Sequence, residues 1–236
     1  MIILYKICFN EDRALKIKET PKARPVVTDL SNMINTCLTS IVKQMTQEDK
    51  IVFFLDGEDI NNTINNICSK YNVNYTTLTY NYNDAVKINN ECSLYIINEI
   101  NKDEIIYLCE DDYLHYNNCL DHIKDFFTQY PSYFCHPTDY PNLYTNNKQL
   151  SEIITTKNWH WRSIKSTTYT FAFKTHMFKK YYDIFTNTNE RMFWAHLCNI
   201  MYINDKCFSP IPSLTTHMEE GCFPPCVNTK KEFAKI

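Results

Sequence analysis

Apolar and polar positions fall into blocks along the first half of the chain. Residues 2–9 form an apolar run without polar alternation, which predicts a strand buried on both faces. A polar loop at 10–25 follows, carrying Arg13, Lys16, Lys18, Lys22 and Arg24. Leu30, Met33, Ile34, Cys37, Leu38, Ile41 and Met45 then recur at helical spacing, with Thr28 or Asp29 in place to cap the helix. Residues 51–55 predict a second buried strand, closed by Asp56 and Gly57. A helix at 60–70, a strand at 75–80 and a helix at 84–100 come next. The fourth strand begins at Ile105 and ends abruptly in Glu110-Asp111-Asp112. This strict alternation of strand and helix predicts a parallel sheet with right-handed crossovers and helices on both faces.

The second half is less regular. Its pattern predicts a helix at 116–130, a strand at 132–136, a Thr-rich β stretch at 167–173 and helices from His176 and from Asn189. Between them lie the loop from His136 through Asp139 to Tyr144 and the aromatic segment Trp159-His160-Trp161-Arg162. The tail at 210–226, punctuated by Pro210, Pro212, Pro224 and Pro225, reads as a loop that carries His217, Glu219 and Glu220. Irregular polar and aromatic segments on one half of an α/β domain are where a second substrate is gripped.

Composition narrows the choice. A chain of 236 residues, 44% hydrophobic and 22% charged, is ordinary for one globular domain, and no linker divides it. Gly57 and Gly221 are its only glycines, which excludes a glycine-rich phosphate loop. Any nucleotide must therefore be held by side chains, a metal and ordinary loops. A net charge of −3 and the lack of a basic run give no reason to expect nucleic acid as a partner. Lys6, Glu11, Asp12 and Arg13 break the N-terminal apolar run, and no stretch reaches membrane-spanning length, so a cytoplasmic protein without membrane insertion is expected. The eleven cysteines are odd in number and scattered through apolar segments, as expected of free buried thiols. Cys222 and Cys226 lack the second pair that a structural zinc needs.

The acid run carries the chemistry. Three adjacent carboxylates repel one another, and at the carboxyl end of a buried strand they face a ligand crevice. A divalent cation with oxygen ligands, Mg²⁺ or Mn²⁺, is the natural counter-charge, with water and substrate phosphate completing its shell. The plainer alternative is that Glu110 and Asp111 cap a helix starting near Leu114. The basic loop, Arg13 included, follows the first strand and so lies on the same rim, where it can meet phosphate.

Several segments in order now carry a resemblance: the strand with Glu110-Asp111-Asp112, Cys37-Leu38-x-Ser40, Asp56, His136-Pro137-x-Asp139-Tyr140-Pro141, Trp161-Arg162 and His217. In that order the chain resembles the GT-A class of nucleotide-sugar-dependent glycosyltransferases, and more narrowly the small glycosyltransferases of large DNA viruses such as the chlorella viruses. The resemblance implies a single α/β GT-A-like domain over 1–236, with a Rossmann-like, mainly parallel central sheet flanked by helices. Residues 1–115 would form its nucleotide-sugar half and 116–236 a more irregular acceptor half. It implies transfer of a sugar from a nucleotide-diphosphate sugar, most often a UDP-sugar, to a glycan or glycoprotein acceptor, in the host cytoplasm if the viral likeness applies.

The acid run looks like the class's DXD metal motif with Glu in first place. Asp112 then binds the metal directly, Glu110 lies at metal, ribose or water, and Asp111 serves either purpose within the catalytic group. His217 adds to the metal or diphosphate, Asp56 holds the nucleotide base, Trp161 stacks on sugar and Arg162 neutralises diphosphate. Asp139 is the candidate general base of an inverting reaction, with Glu219 and Glu220 as rivals, and a retaining outcome stays open. Two other classes remain in view. A phosphohydrolase or nucleotidyltransferase would need a second spaced acid pair for two metals, and a noncatalytic sugar-binding protein would not need the acid run.

Overall fold

The computed structural model describes residues 1–9, 29–145, 150–186 and 201–236. The first half runs β1 (Ile2–Cys8), α1 (Leu30–Val42), β2 (Lys50–Asp56), α2 (Thr63–Lys70), β3 (Tyr75–Tyr80), α3 (Ala85–Glu99) and β4 (Ile105–Glu110). The second half continues with β5 (Tyr113–His115), α4 (Cys119–Gln129), β6 (Phe134–Cys135), α5 (Asn142–Thr145), β7 (Ile153–Thr155), β8 (His160–Ile164) and β9 (Phe171–Lys174). Then come α6 (Thr175–Lys180), α7 (Tyr182–Thr186), α8 (Tyr202–Asn204), β10 (Cys207–Ile211), β11 (Thr215–His217) and α9 (Thr229–Phe233). The basic loop with Arg13 and the helix expected from Asn189 lie outside the described residues.

The four early strands pair in parallel in the order β3-β2-β1-β4, as the alternating pattern predicts. Their side chains divide between two faces. Ile3, Tyr5 and Ile7 of β1 pack with Phe53, Tyr107, Ile34 and Leu38, while Leu4 packs with Val52, Phe54, Leu108, Ile88 and Cys92. With about 1.5–3 kcal/mol gained for each large apolar side chain buried, the sheet is held between α1 on one side and α3 on the other. Local signals place the helices. Asp29 caps α1 by accepting the Asn32 amide at 2.8 Å, and Asp84 caps α3 by accepting the amides of Val86 and Lys87.

Beyond β4 the sheet turns mixed, continuing β4-β9-β6-β10-β8-β7, with β9 antiparallel to β4. β4 thus lies inside a nine-stranded sheet, and Ile106, Tyr107, Leu108 and Cys109 are buried. The structure corrects four local expectations. Residue 114 does not begin a helix: Tyr113–His115 is the short strand β5, and the next helix starts at Cys119. The helix expected from Ile60 starts at Thr63, because the Asp59 carboxylate accepts the amides of Thr63 and Ile64, both at 2.9 Å, and leaves Ile60 84% exposed.

The tail is not all loop. Pro210 belongs to β10, and β11 pairs antiparallel with β5. A proline, which has no N–H to donate, is tolerated there because β10 pairs with β6 only at Cys207 and Phe208, so no ladder bond on that side is lost at Pro210. The aromatic segment around Trp161 is itself a strand, β8, paired with β10 and β7. No described helix is long and apolar enough to cross a membrane. No disulfide joins the described cysteines, and most of them are buried.

Candidate active site at the carboxyl end of the central strand

The three acids at the end of β4 have separate partners. Asp111 is buried, and its Oδ2 accepts the Cys8 amide at 2.9 Å, tying the end of β4 to the end of β1. Glu110 takes the Thr170 hydroxyl on Oε2 at 3.3 Å, while its own amide donates to the same hydroxyl oxygen at 3.1 Å. Lys6 stands opposite Glu110 in the β1–β4 register, with Nζ 3.9 Å from Oε1. That ammonium donates to Asn89 at 2.8 Å and lies over the Tyr169 ring. Burial raises the Glu110 pKa, Lys6 pulls it back, and the charge of Asp112 adds to the rise.

Asp112 meets the far end of the chain. The β5–β11 ladder pairs Tyr113 with His217, and the Asp112 carbonyl accepts the Met218 amide at 2.8 Å. This brings His217 Nε2 to 3.3 Å from Asp112 Oδ2 and 3.4 Å from Glu219 Oε2. The imidazole lies flat on the Tyr113 ring at 4.8 Å and 9°, and its Nδ1 is 3.3 Å from the Tyr140 hydroxyl. Burial alone would lower its pKa, but the Asp112 charge and hydrogen bond, helped by Cys222, push it up to about 10.

That shift fixes a sign. A histidine raised from 6.5 to about 10 contributes its full stability below pH 6.5 and loses it as pH climbs through about 10. His217→Gln is therefore expected to lower the thermal midpoint of the metal-free protein at neutral pH, with the gap to the parent closing as pH rises toward 10. A gap that stays constant over that range would show that His217 is not ionised at neutral pH.

The remaining candidates are placed differently from expectation. Trp161 is fully buried against Phe126, with its indole N–H on Thr156, so it is a core residue and has no face to offer a sugar. Trp159, half-buried at the edge of the same core cluster, donates its indole N–H to the Pro212 carbonyl. Asp56 is also spoken for: its carboxylate accepts the amides of Tyr82, Asn83 and Asp84 at 2.8, 3.0 and 3.1 Å, which fixes the β3–α3 loop and leaves it poorly suited to read a base. Asp139 is fully buried, ion-paired with Arg162 and hydrogen-bonded by the Tyr144 hydroxyl. Burial raises its pKa, and Tyr144 and Arg162 oppose the rise. Both oxygens are engaged, so Asp139 is not free to take a proton from an acceptor. Arg162 in turn spends its charge on Asp139 and its flat face on the Tyr144 ring, 4.1 Å away.

Sequence reasoning gave no role in the site to Lys6, Tyr113, Tyr140 or Thr170. Lys6 did leave a signal, since a cation inside an apolar strand must find a partner. Near the ends of β1 and β2 a cavity of about 370 Å³ opens among Phe9, Leu30, Ile34 and Ile60, with Asp29 and Asp59 among its polar lining.

A divalent cation is expected at this rim. Among the described residues no group of three His, Cys, Asp or Glu side chains is arranged to hold one. The carboxylate of Asp112 and the imidazole of His217 are nonetheless close enough to act as two ligands of one ion. Two protein donors of this kind fit Mg²⁺ or Mn²⁺ when diphosphate and water supply the rest.

No protein-family model and no curated protein sequence matches the chain. Solved structures do. S. aureus TarS superposes with a TM-score of 0.53 at 14% identity, over 88% of this chain and 34% of TarS. Its 1–349 fragment in complex with UDP-GlcNAc gives a TM-score of 0.53 at 14% identity, over 88% of this chain and 55% of the fragment. The same fragment with UDP gives 0.54 over 89% and 57%. A protein from Desulfovibrio desulfuricans G20, assigned as a nucleotide-diphospho-sugar transferase, gives 0.52 at 10% identity, over 88% of this chain and 78% of that one. The chain thus spans about a third of TarS and a little over half of its fragment. At 10–14% identity the likeness is one of architecture, and the chain has the fold of nucleotide-diphospho-sugar transferases.

Proposed function

We propose that the chain is a glycosyltransferase that moves a sugar from a UDP-sugar to a hydroxyl of a glycan or glycoprotein acceptor, with Mg²⁺ or Mn²⁺ held by Asp112 and His217. The observation that carries this reading is the meeting of Asp112 with His217, 105 residues apart in sequence, at the carboxyl end of the central strand. Sugar transfer leaves a diphosphate whose growing charge must be stabilised, and a bound divalent cation supplies that as a Lewis acid. The side chains prepare the place for it. Lys6 offsets the charge of Glu110, and Asp111 locks the β1 and β4 ends together.

The flat base of the nucleotide is assigned to the cavity walled by Phe9, Leu30 and Ile34, not to Asp56. Among the three carboxylates considered for the acceptor's proton, Glu219 is the best placed. It is exposed and borders His217, whereas Asp139 is buried in its ion pair. We therefore assign Asp139 and Arg162 a structural role beneath the acceptor side of the rim.

TarS fragments have been solved with UDP and UDP-GlcNAc, which selects the probes. Saturating UDP with Mn²⁺ is expected to raise the thermal midpoint by about 5–10 °C, since a ligand at a hundred times its Kd adds about 2.7 kcal/mol to a domain of this size. UDP-GlcNAc with Mn²⁺ should do at least as well. Mn²⁺ without nucleotide should shift the midpoint much less, because two protein ligands hold it weakly. No shift with any UDP compound, with or without Mn²⁺, would overturn the reading.

A further inference from the structure

The side chains behind His217 form a continuous hydrogen-bond path that the proposed reaction does not itself require. The Tyr140 hydroxyl lies 3.3 Å from His217 Nδ1 and 2.6 Å from the Tyr113 hydroxyl, which is in turn 2.6 Å from Thr168 Oγ1. The Tyr140 ring is itself backed by His136 at 5.4 Å and 24°, and His136 is anchored by donating Nδ1–H to the Thr170 carbonyl at 2.5 Å. Tyr113 meanwhile covers one face of the His217 ring.

A neutral imidazole has one N–H and one lone pair, and the hydrogen bond at one nitrogen decides which nitrogen ligates. We propose that Tyr140 is a positioning residue that selects the cation-binding tautomer of His217, by accepting Nδ1–H and leaving the lone pair on Nε2, toward Asp112. This rests on the assignment of Asp112 and His217 as cation ligands. The directions close without conflict. The proposal requires His217 Nδ1–H to donate to the Tyr140 oxygen, Tyr140 O–H to the Tyr113 oxygen, and Tyr113 O–H to Thr168 Oγ1, a set of directions that the three contacts allow. Tyr140 is thus left as an acceptor toward the imidazole. With its face held by Tyr113 and one nitrogen by Tyr140, the ring has its other nitrogen fixed at 3.3 Å from the Asp112 carboxylate.

The test is Mn²⁺ affinity, not turnover. Free Mn²⁺ is titrated by electron paramagnetic resonance in the presence of saturating UDP, for the full chain and for Y140F, H217A and the double variant. Y140F is expected to bind Mn²⁺ about 10-fold more weakly, the usual effect of removing a group that orients a metal ligand. It should bind UDP without metal as the parent does. The double variant should bind no worse than H217A, because Tyr140 acts only through that histidine. Y113F, which removes the acceptor for Tyr140 O–H, provides a second variant should Y140F not fold, and is expected to weaken Mn²⁺ in the same direction.

Parent-like Mn²⁺ affinity in both tyrosine variants would overturn the proposal, as would a Y140F loss that adds in full to that of H217A. Parent-like Mn²⁺ affinity in H217A would instead remove the cation assignment on which the proposal stands. The two failures are therefore told apart by H217A alone.

Discussion

Asp112→Asn is expected to abolish Mn²⁺-dependent UDP binding while the chain stays folded, with a loss of at least about 100-fold, or about 2.7 kcal/mol. An amide matches the carboxylate in shape but carries no charge, and a hard cation with two protein ligands cannot spare its only anionic one. The fold should survive because the main-chain contact at this position, Met218 N–H to the Asp112 carbonyl, does not involve the side chain. A second consequence separates the charge from mere shape. The Asp112 carboxylate is the main influence holding the His217 pKa up near 10 against the pull of burial, so the substitution should bring that histidine's titration down. Calorimetric titration of UDP with Mn²⁺ measures the first effect, and the imidazole proton resonances measured against pH report the second. Parent-like affinity for UDP with Mn²⁺ would remove Asp112 from the cation.

Much of the scaffold around that carboxylate was legible in the chain. The runs of β1, β2 and β4 lack polar alternation because both faces are covered, and β1 alone sends Ile3, Tyr5 and Ile7 to one core and Leu4 to the other. Caps at Asp29 and Asp84 are local chemistry, and a local pattern reveals them. What stayed hidden depends on contacts far apart in sequence. Tyr113–His115 is too short to show a period, and it becomes a strand only by pairing with Thr215–His217. Pro210 lies just past the point where β10 stops pairing with β6, and taken alone it resembles loop punctuation.

The candidate site divides along the same line. The position of the acids followed from the strand before them, while their partners come from β1, the turn before β9, and β11, and leave no local trace apart from Lys6. Residue type misled at Asp56, which has the look of a ligand-binding acid but spends its oxygens on three loop amides. Trp159 and Trp161 stand two apart, the spacing of a single strand face, so spacing alone does not say which of them lies deeper in the core. Burial decides for Trp161, because β8 turns that side toward Phe126.

Asp139 and Arg162 give the second large effect, and it concerns stability. Arg162→Ala is expected to cost about 3–5 kcal/mol, because it leaves the Asp139 charge fully buried without its cation. For a domain of this size that is a fall of roughly 6–20 °C in the thermal midpoint. The double variant Arg162→Ala/Asp139→Ala should be less damaged than the sum of the two single changes, since removing both partners leaves no stranded charge. The sign of the pH dependence follows from the same charge. Burial raises the Asp139 pKa, and Arg162 is one of the two groups that oppose it, so without the guanidinium the carboxyl rises further. A carboxyl whose folded pKa lies above its unfolded value contributes its stability at low pH and loses it as pH rises through the folded pKa. The deficit of Arg162→Ala relative to the parent should therefore shrink as pH is lowered, because protonation removes the stranded charge. Thermal unfolding of both proteins as a function of pH is the measurement. A deficit that is small and flat with pH would mean that water or the Tyr144 hydroxyl shields Asp139 well enough to replace the arginine.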